Sequence, residues 1–233
     1  MPSSVILPAP TRTDPAITVP WVTPPLHEQV YASILEAICG GVMRSGERIN
    51  QDELAARLKV SRQPVTQALT VLRKQDFVQD TGRRGLIVAP LRRSFFESLY
   101  QLRESLDPMA ARLAARHHGR ISAASAQALL KSGQDALEQG DVATLTSADM
   151  AFHMWIYEAS DNPLLAEMLR MYWHHLRRSM VAVVGPSHDR RRVWEEHAQI
   201  LAAILRGDEA RAEQLSLQHI REAAERVVQS LPE

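Results

Sequence analysis

The sequence predicts a mainly α-helical fold with one small β element near its N-terminal end, arranged as two successive parts. Three observations predict it. Alanine and leucine are plentiful while aromatics make up 5% of the chain, a balance that favours helix over sheet. Short β-rich runs occur only around a glycine-bounded basic turn at residues 77–88. Beyond Pro90 the apolar residues recur at three- and four-residue spacing through to the C-terminal end.

The totals bound the rest. A 233-residue chain is long enough for two small domains or one large one, and 45% hydrophobic with 23% charged residues is ordinary for a globular protein. Cys39 is the single cysteine, so no intrachain disulfide forms, and a reducing cytoplasm is expected. No apolar run spans a membrane, and the N-terminal residues lack the charged start and apolar core of a signal peptide. Formal net charge is zero, but its distribution is uneven. The stretch from Arg57 to Arg93 carries nine basic and two acidic side chains. Such a segment on a neutral chain is an electrostatic footprint for an anionic partner.

Residues 1–25 hold seven of the thirteen prolines and are expected to form a flexible arm. From Leu26 to about Gly40, Leu26, Val30, Ile34, Ala37 and Ile38 share one helical face, and Gly40-Gly41 ends it. Ser45 to Ile49 reads as a turn feeding a short extended piece. Asn50 with Glu53 three residues later marks the next helix start, Gln51 to Leu58. Ser61 is the following N-cap, with Pro64 in the first turn of a helix to about Gln75 that buries Val65, Ala68, Leu69 and Leu72. Phe77-Val78 and Leu86 to Val88 then flank Thr81 to Gly85 as a hairpin with a basic tip. After Pro90, six helices are expected over 94–116, 121–138, 141–159, 162–184, 187–206 and 208–229. In the first of them Leu99, Leu102, Leu106, Met109 and Leu113 form the expected packing stripe.

Three helices followed by a basic hairpin is the plan of a winged helix-turn-helix over residues 26–90. The helix from Arg62 to Gln75 would enter the major groove, where Arg62 can donate two hydrogen bonds to a guanine edge. Gly82 and Gly85 would let the wing approach the backbone, with Arg83 and Arg84 supplying charge. The stretch Glu47-Arg48-Ile49 through Leu54 to Leu58, Val60 to Val65, Ala68-Leu69 and Arg83-Arg84-Gly85 resembles the DNA-binding domain of the GntR family. That resemblance implies binding to palindromic operators as a homodimer, with Arg57, Ser61, Arg62, Gln63, Thr66, Arg83, Arg84 and Gly85 at the DNA. One departure is Thr66-Gln67, where the family carries Arg-Glu, so an atypical operator or a lower affinity is expected.

Residues 94–229 are expected to form an all-α antiparallel helix bundle. Asp149 and His153 are spaced i, i+4 on a face with Leu145, Phe152 and Ile156. His197 lies with Val193, Leu201 and Ile204, and His219 with Leu215, Ala223 and Val227. Four polar groups on core-facing stripes are costly unless paired or metal-bound, and three imidazoles with one carboxylate suit a divalent transition metal such as Zn, Ni, Mn or Fe. This region resembles the FCD effector domain of the FadR branch of GntR regulators, through Leu102 to Pro108, Ala110 to Ala114, Asp149 to His153, Ser160 to Leu165 and Glu196-His197 to Gly207-Asp208. The resemblance implies a metal held by Asp149, His153, His197 and His219, an effector-facing Arg103, and repression relieved by a small carboxylate, with Asn162 a further effector contact or a helix cap. Leu106-Asp107 replaces the family's Leu-Glu. An enzyme is not expected, because no nucleophile–base pair accompanies the histidines. His117, His118, His174, His175 and His188 read as structural or surface residues.

Overall fold

The computed structural model describes residues 24–82, 85–183 and 190–231. Most of the expected arm, together with Arg83, Arg84 and His188, lies outside the described residues. The N-terminal unit begins with α1 (Leu26–Cys39), which buries Val30, Ile34, Leu35, Ile38 and Cys39. Leu26, expected on that face, is exposed because it starts the helix and projects beyond its packing partners. β1 (Arg48–Ile49) leads into α2 (Gln51–Leu58). Asn50 caps α2, its Oδ1 accepting from the backbone N–H of Asp52 and Glu53 at 3.0 and 3.4 Å. Lys59, in the left-handed region at φ 55°, ends α2 and reverses the chain into α3 (Arg62–Lys74). Ser61 occupies the N-cap position of α3 with extended backbone, but its hydroxyl makes no capping hydrogen bond, contrary to expectation.

β2 (Val78–Thr81) and β3 (Gly85–Val88) pair antiparallel, with Thr81 opposite Gly85, and β1 covers the other edge of β3. Phe77, expected in the first strand, precedes it and is buried in the N-terminal core with Val65, Leu69 and Leu72. Gly85 is dictated by packing: a Cβ there would lie 2.3 Å from the Thr81 hydroxyl and 2.9 Å from its carbonyl oxygen.

The remaining helices are α4 (Arg93–Arg116), α5 (Ala123–Gln139), α6 (Val142–Ala159), α7 (Pro163–Val183), α8 (Arg190–Leu205) and α9 (Glu209–Ser230). Three of them, α6, α7 and α9, start at side-chain caps. Asp141 accepts from Thr144 N–H, Asn162 from Leu164 N–H and Asp208 from Arg211 N–H, at 2.8, 3.2 and 3.0 Å. α4 packs along α9 as the central antiparallel pair, with α6, α7 and α8 around it. The deepest face of α4 is displaced from the expected leucine stripe. Leu99 is buried, but Leu102, Leu106, Met109 and Leu113 are half-buried, while Tyr100, Arg103, Asp107, Ala110, Ala111 and Ala114 face inward. Alanines let the neighbouring helices approach, and the Arg103–Asp107 pair makes a polar stripe tolerable there.

The two units meet along α7. The imidazole of His175 stacks on Phe77 with ring centres 4.0 Å apart, and its Nε2 hydrogen-bonds the Gln75 carbonyl oxygen at 2.9 Å. Glu36 on α1 pairs with Arg177, Arg178 donates to the Ala89 carbonyl, and the Cys39 thiol meets the His174 carbonyl at 3.5 Å. Histidines read as merely structural therefore form the junction.

Two outcomes are expected. Gly133 on α5 faces Trp194, and a Cβ would lie 2.1 Å from the indole. Gly133→Ala should lower unfolding stability by about 1–3 kcal/mol through overpacking, against a helix-propensity gain of about 1 kcal/mol. A urea midpoint at or above wild type would show that Trp194 swings aside freely. Burial pushes the His175 pKa down to about 4, so the unfolded chain binds its proton first and the junction loses stability as pH falls below about 6.5. His175→Gln should be the less stable protein at pH 7, and its deficit should shrink by about 2 kcal/mol at pH 5. A constant deficit in urea titrations at both pH values would refute that linkage.

Candidate functional site

Four helices converge on one buried polar cluster. α6 contributes Asp149 and His153, α8 His197, α9 His219, and α4 Arg103 and Asp107, all of them buried. The helical i, i+4 spacing sets Asp149 and His153 one above the other, with His153 Nε2 3.9 Å from Asp149 Oδ2. Asp149 Oδ1 is 3.6 Å from His197 Nε2, and His197 Nε2 is 3.3 Å from His219 Nε2. His153, His197 and His219 each offer one nitrogen within a common 4.8 Å span, a separation that a single ion could bridge after small adjustments.

The cluster is chemically suited to a cation. Burial, reinforced by neighbouring positive groups, pushes the His153 and His197 pKa values well below the usual imidazole range. Both rings are therefore neutral at pH 7, the ligand-competent form. Burial raises the Asp149 pKa, against the pull of His219, Arg103 and Arg226. Two imidazole nitrogens facing each other at 3.3 Å with a carboxylate oxygen alongside form a donor set that a shared cation satisfies. His197 is held from both sides, stacked on Phe152 at 3.7 Å and edge-on to Trp194 at 4.8 Å.

Asp149, His153 and His219 line a cavity of about 550 Å³, the size range of small-molecule sites. Tyr100, Arg103, Trp194 and Arg226 form other parts of its wall. Arg103 is more deeply committed than its effector-facing role implies. Its Nε and Nη2 both donate to Asp107 Oδ2, at 3.2 and 2.8 Å, and Nη2 lies 3.4 Å from both His153 ring nitrogens. Burial opposes the guanidinium charge, but Asp107 outweighs it and raises the pKa. Asp107, absent from the sequence-derived site, is thus part of the cluster; its i, i+4 spacing from Arg103 was the available signal. Glu196 was also missed: its Oε2 is 2.8 Å from His219 Nδ1.

Asn162 is not brought to this cluster: of its two expected roles, its side chain makes the helix cap, accepting from Leu164 N–H at the start of α7, and it borders a separate cleft with Tyr31, Gln75 and Phe77. The cap satisfies a helix N–H and holds the amide in the α6–α7 turn, where Asp161 adopts φ 56°.

The second site is the outer face of α2–α3. Arg57, Ser61, Arg62, Gln63 and Thr66 are all exposed, and Gly85 is half-buried at the wing base. Arg62 makes a 3.4 Å ion pair with Asp52 in which both side chains remain more than 60% exposed, leaving the guanidinium accessible. The Thr66 hydroxyl lies 3.0 Å from Gln51 Oε1 and 3.1 Å from the Arg62 carbonyl oxygen, so it is engaged within the protein.

Comparison with known proteins accords with this geometry. Residues 98–222 match the FCD domain, and residues 26–88 match the family of bacterial regulatory proteins, gntR family. The Nta operon transcriptional regulator of Aminobacter aminovorans is 29% identical over 191 residues, covering 80% of this chain and 87% of that protein. The Uxu operon transcriptional regulator of Escherichia coli K12 is 28% identical over 226 residues, covering 87% of each. Two solved structures share the fold. E. coli McbR/YncC has a TM-score of 0.72 at 23% identity over 85% of this chain and 94% of its own. A putative GntR regulator from Rhodococcus sp. RHA1 has a TM-score of 0.77 at 19% identity over 88% and 99%. With an FCD domain over more than half its length and a gntR-type helix-turn-helix before it, the chain belongs to the GntR family of DNA-binding transcription regulators.

Proposed function

We propose that this regulator represses transcription from the cytoplasm as a homodimer and is released from its operator by a small organic acid. In this reading residues 26–90 bind DNA and residues 94–229 bind metal, effector and the second protomer. The carrying observation is the convergence of three buried imidazoles and Asp149, with His153, His219 and Asp149 lining a 550 Å³ cavity and His197 directly behind them. Asp149, His153, His197 and His219 would hold a divalent Zn, Ni, Mn or Fe ion. Such an ion supplies a Lewis-acidic anchor for a carboxylate. Arg103 lines the same cavity and offers the planar fork that a carboxylate matches. An incoming carboxylate competes with Asp107 for that fork, so binding exchanges one buried pair for another.

On the DNA side, Arg62 and Gln63 would reach base edges, with Arg57 and Ser61 at phosphates and Arg83, Arg84 and Gly85 at the wing. The free Ser61 hydroxyl suits a phosphate contact. Thr66, already bonded internally, would contribute less than an arginine there, which favours an atypical operator. α7 supplies a route between the sites. Trp173 lies 5.7 Å from the His153 ring, while its neighbour His175 grips Phe77 and Gln75 of the DNA-binding unit. A shift of α7 on effector binding would reorient that unit, and about 1–3 kcal/mol of coupling would suffice.

Fluorescence anisotropy with DNA upstream of the protein's own gene tests the DNA reading. Tight, sequence-dependent binding with a steep salt slope is expected, and Arg62→Ala should cost about 1–3 kcal/mol. Equal affinity for scrambled DNA would refute operator recognition at that site. For the sensor, chelation should lower the thermal midpoint of purified protein, and zinc should restore it. His197→Ala should abolish the difference between chelated and zinc-loaded samples. A midpoint indifferent to chelator and zinc in the wild type would remove the metal from the reading.

A further inference from the structure

Glu196 and His197 are consecutive on α8, so their side chains leave the helix about 100° apart. His197 points into the cluster and is fully buried, whereas Glu196 reaches sideways to α9. There its Oε2 lies 2.8 Å from His219 Nδ1. A carboxylate at that distance accepts a proton-bearing nitrogen, so His219 carries its hydrogen on Nδ1. Its Nε2 is then an open lone pair, 3.3 Å from His197 Nε2. The carboxylate is itself held: Arg192 Nε donates to Glu196 Oε1 at 3.2 Å, and Arg226 Nη2 stands 3.9 Å from Oε2.

We propose that Glu196 is the positioning residue of the His cluster: it fixes the tautomer and ring orientation of His219 so that Nε2 faces His153, His197 and Asp149. This rests on the metal reading above and adds to it a residue outside the ligand set. A carboxylate behind an imidazole raises the basicity of the opposite nitrogen and holds its direction, and removing such a partner commonly weakens metal binding 10–100-fold. In the metal-free protein the two facing Nε2 atoms can share only one proton, and Glu196 assigns it to His197. His153 has no equivalent close carboxylate, since Asp107 Oδ2 lies 3.7 Å from its Nδ1 and is occupied by Arg103.

The test uses the full-length protein with two readouts. Long-range proton–nitrogen correlation spectra of the metal-free wild type at pH 7.5 should show His219 protonated on Nδ1 and bare on Nε2. In Glu196→Ala the His219 signals should move to the values of a tautomer mixture. Zinc titration by calorimetry should show 10–100-fold weaker binding in Glu196→Ala and Glu196→Gln. Glu196→Asp should recover part of it, a pattern that loss of generic packing would not produce. A wild-type His219 protonated on Nε2 would overturn the proposal without recourse to any variant. So would zinc affinities in Glu196→Ala and Glu196→Gln equal to wild type. Failure of the wild type itself to bind zinc would instead overturn the metal reading and the ligand-positioning role with it.

Discussion

The bundle is organised around the need to satisfy a group of ionisable side chains that its own packing removes from water. Asp107, Arg103, Asp149, His153, His197 and His219 are all buried, and each is presented by a helix whose other inward residues are mostly apolar. An unpaired charge at such a place is strongly destabilising. The arrangement answers this in two ways. Arg103 and Asp107 form a tight ion pair within one helix, and burial keeps His153 and His197 neutral. What remains is a set of lone pairs on converging nitrogens, together with a buried His197 Nδ1 and Asp107 Oδ1 that have no hydrogen-bond partner among the described residues. Such a cluster is the usual mark of a ligand site rather than of a core built for stability alone.

From this cluster the constraint propagates outward through packed side chains. Trp173 rests against His153 and, at 5.9 Å, against the Arg103 guanidinium. Two residues on, His175 is stacked between the two units, near both Phe77 and Phe95. Its hydrogen bond to the Gln75 carbonyl takes up an acceptor at the C-terminal end of α3, the helix whose outer face carries Arg62 and Gln63. The junction combines the Glu36–Arg177 ion pair at its edge with a buried Arg178–Ala89 hydrogen bond and aromatic stacking at its centre. An interface of that kind permits relative motion more readily than a continuous apolar core.

Much of this was legible in sequence because it depends on local rules. Asn50, Asp141, Asn162 and Asp208 mark helix starts since a short acceptor side chain satisfies an N–H within its own turn. The i, i+4 spacing of Asp149 and His153 shows them on one face before any neighbour is known. What the sequence left less legible depends on pairings that show only in the folded bundle. The deep face of α4 was misplaced because Arg103 and Asp107 look like surface residues until the pair they form is seen. Glu196 resembles any solvent-facing acid beside a buried His, and only the approach of α9 gives it a role. His175 carries no local sign that Phe77 and Gln75, about a hundred residues earlier, will close around it.

The Arg103–Asp107 pair also bears on how a sensor of this design discriminates. Nε and Nη2 are both taken by one carboxylate oxygen, so in the function proposed above Asp107 would hold the place that an effector's acid group takes. In that reading an anionic ligand would gain more from the Arg103 guanidinium than a neutral one. An acid can draw the guanidinium away only if its own contacts, to a cation and to the cavity wall, exceed those given up by Asp107, whose charge must then be met elsewhere. Displacement of Arg103 would also disturb its contacts with His153 and Trp173, the start of the path to α7. In the proposed function, selectivity for acids and transmission to the DNA-binding unit would therefore draw on the same side chain.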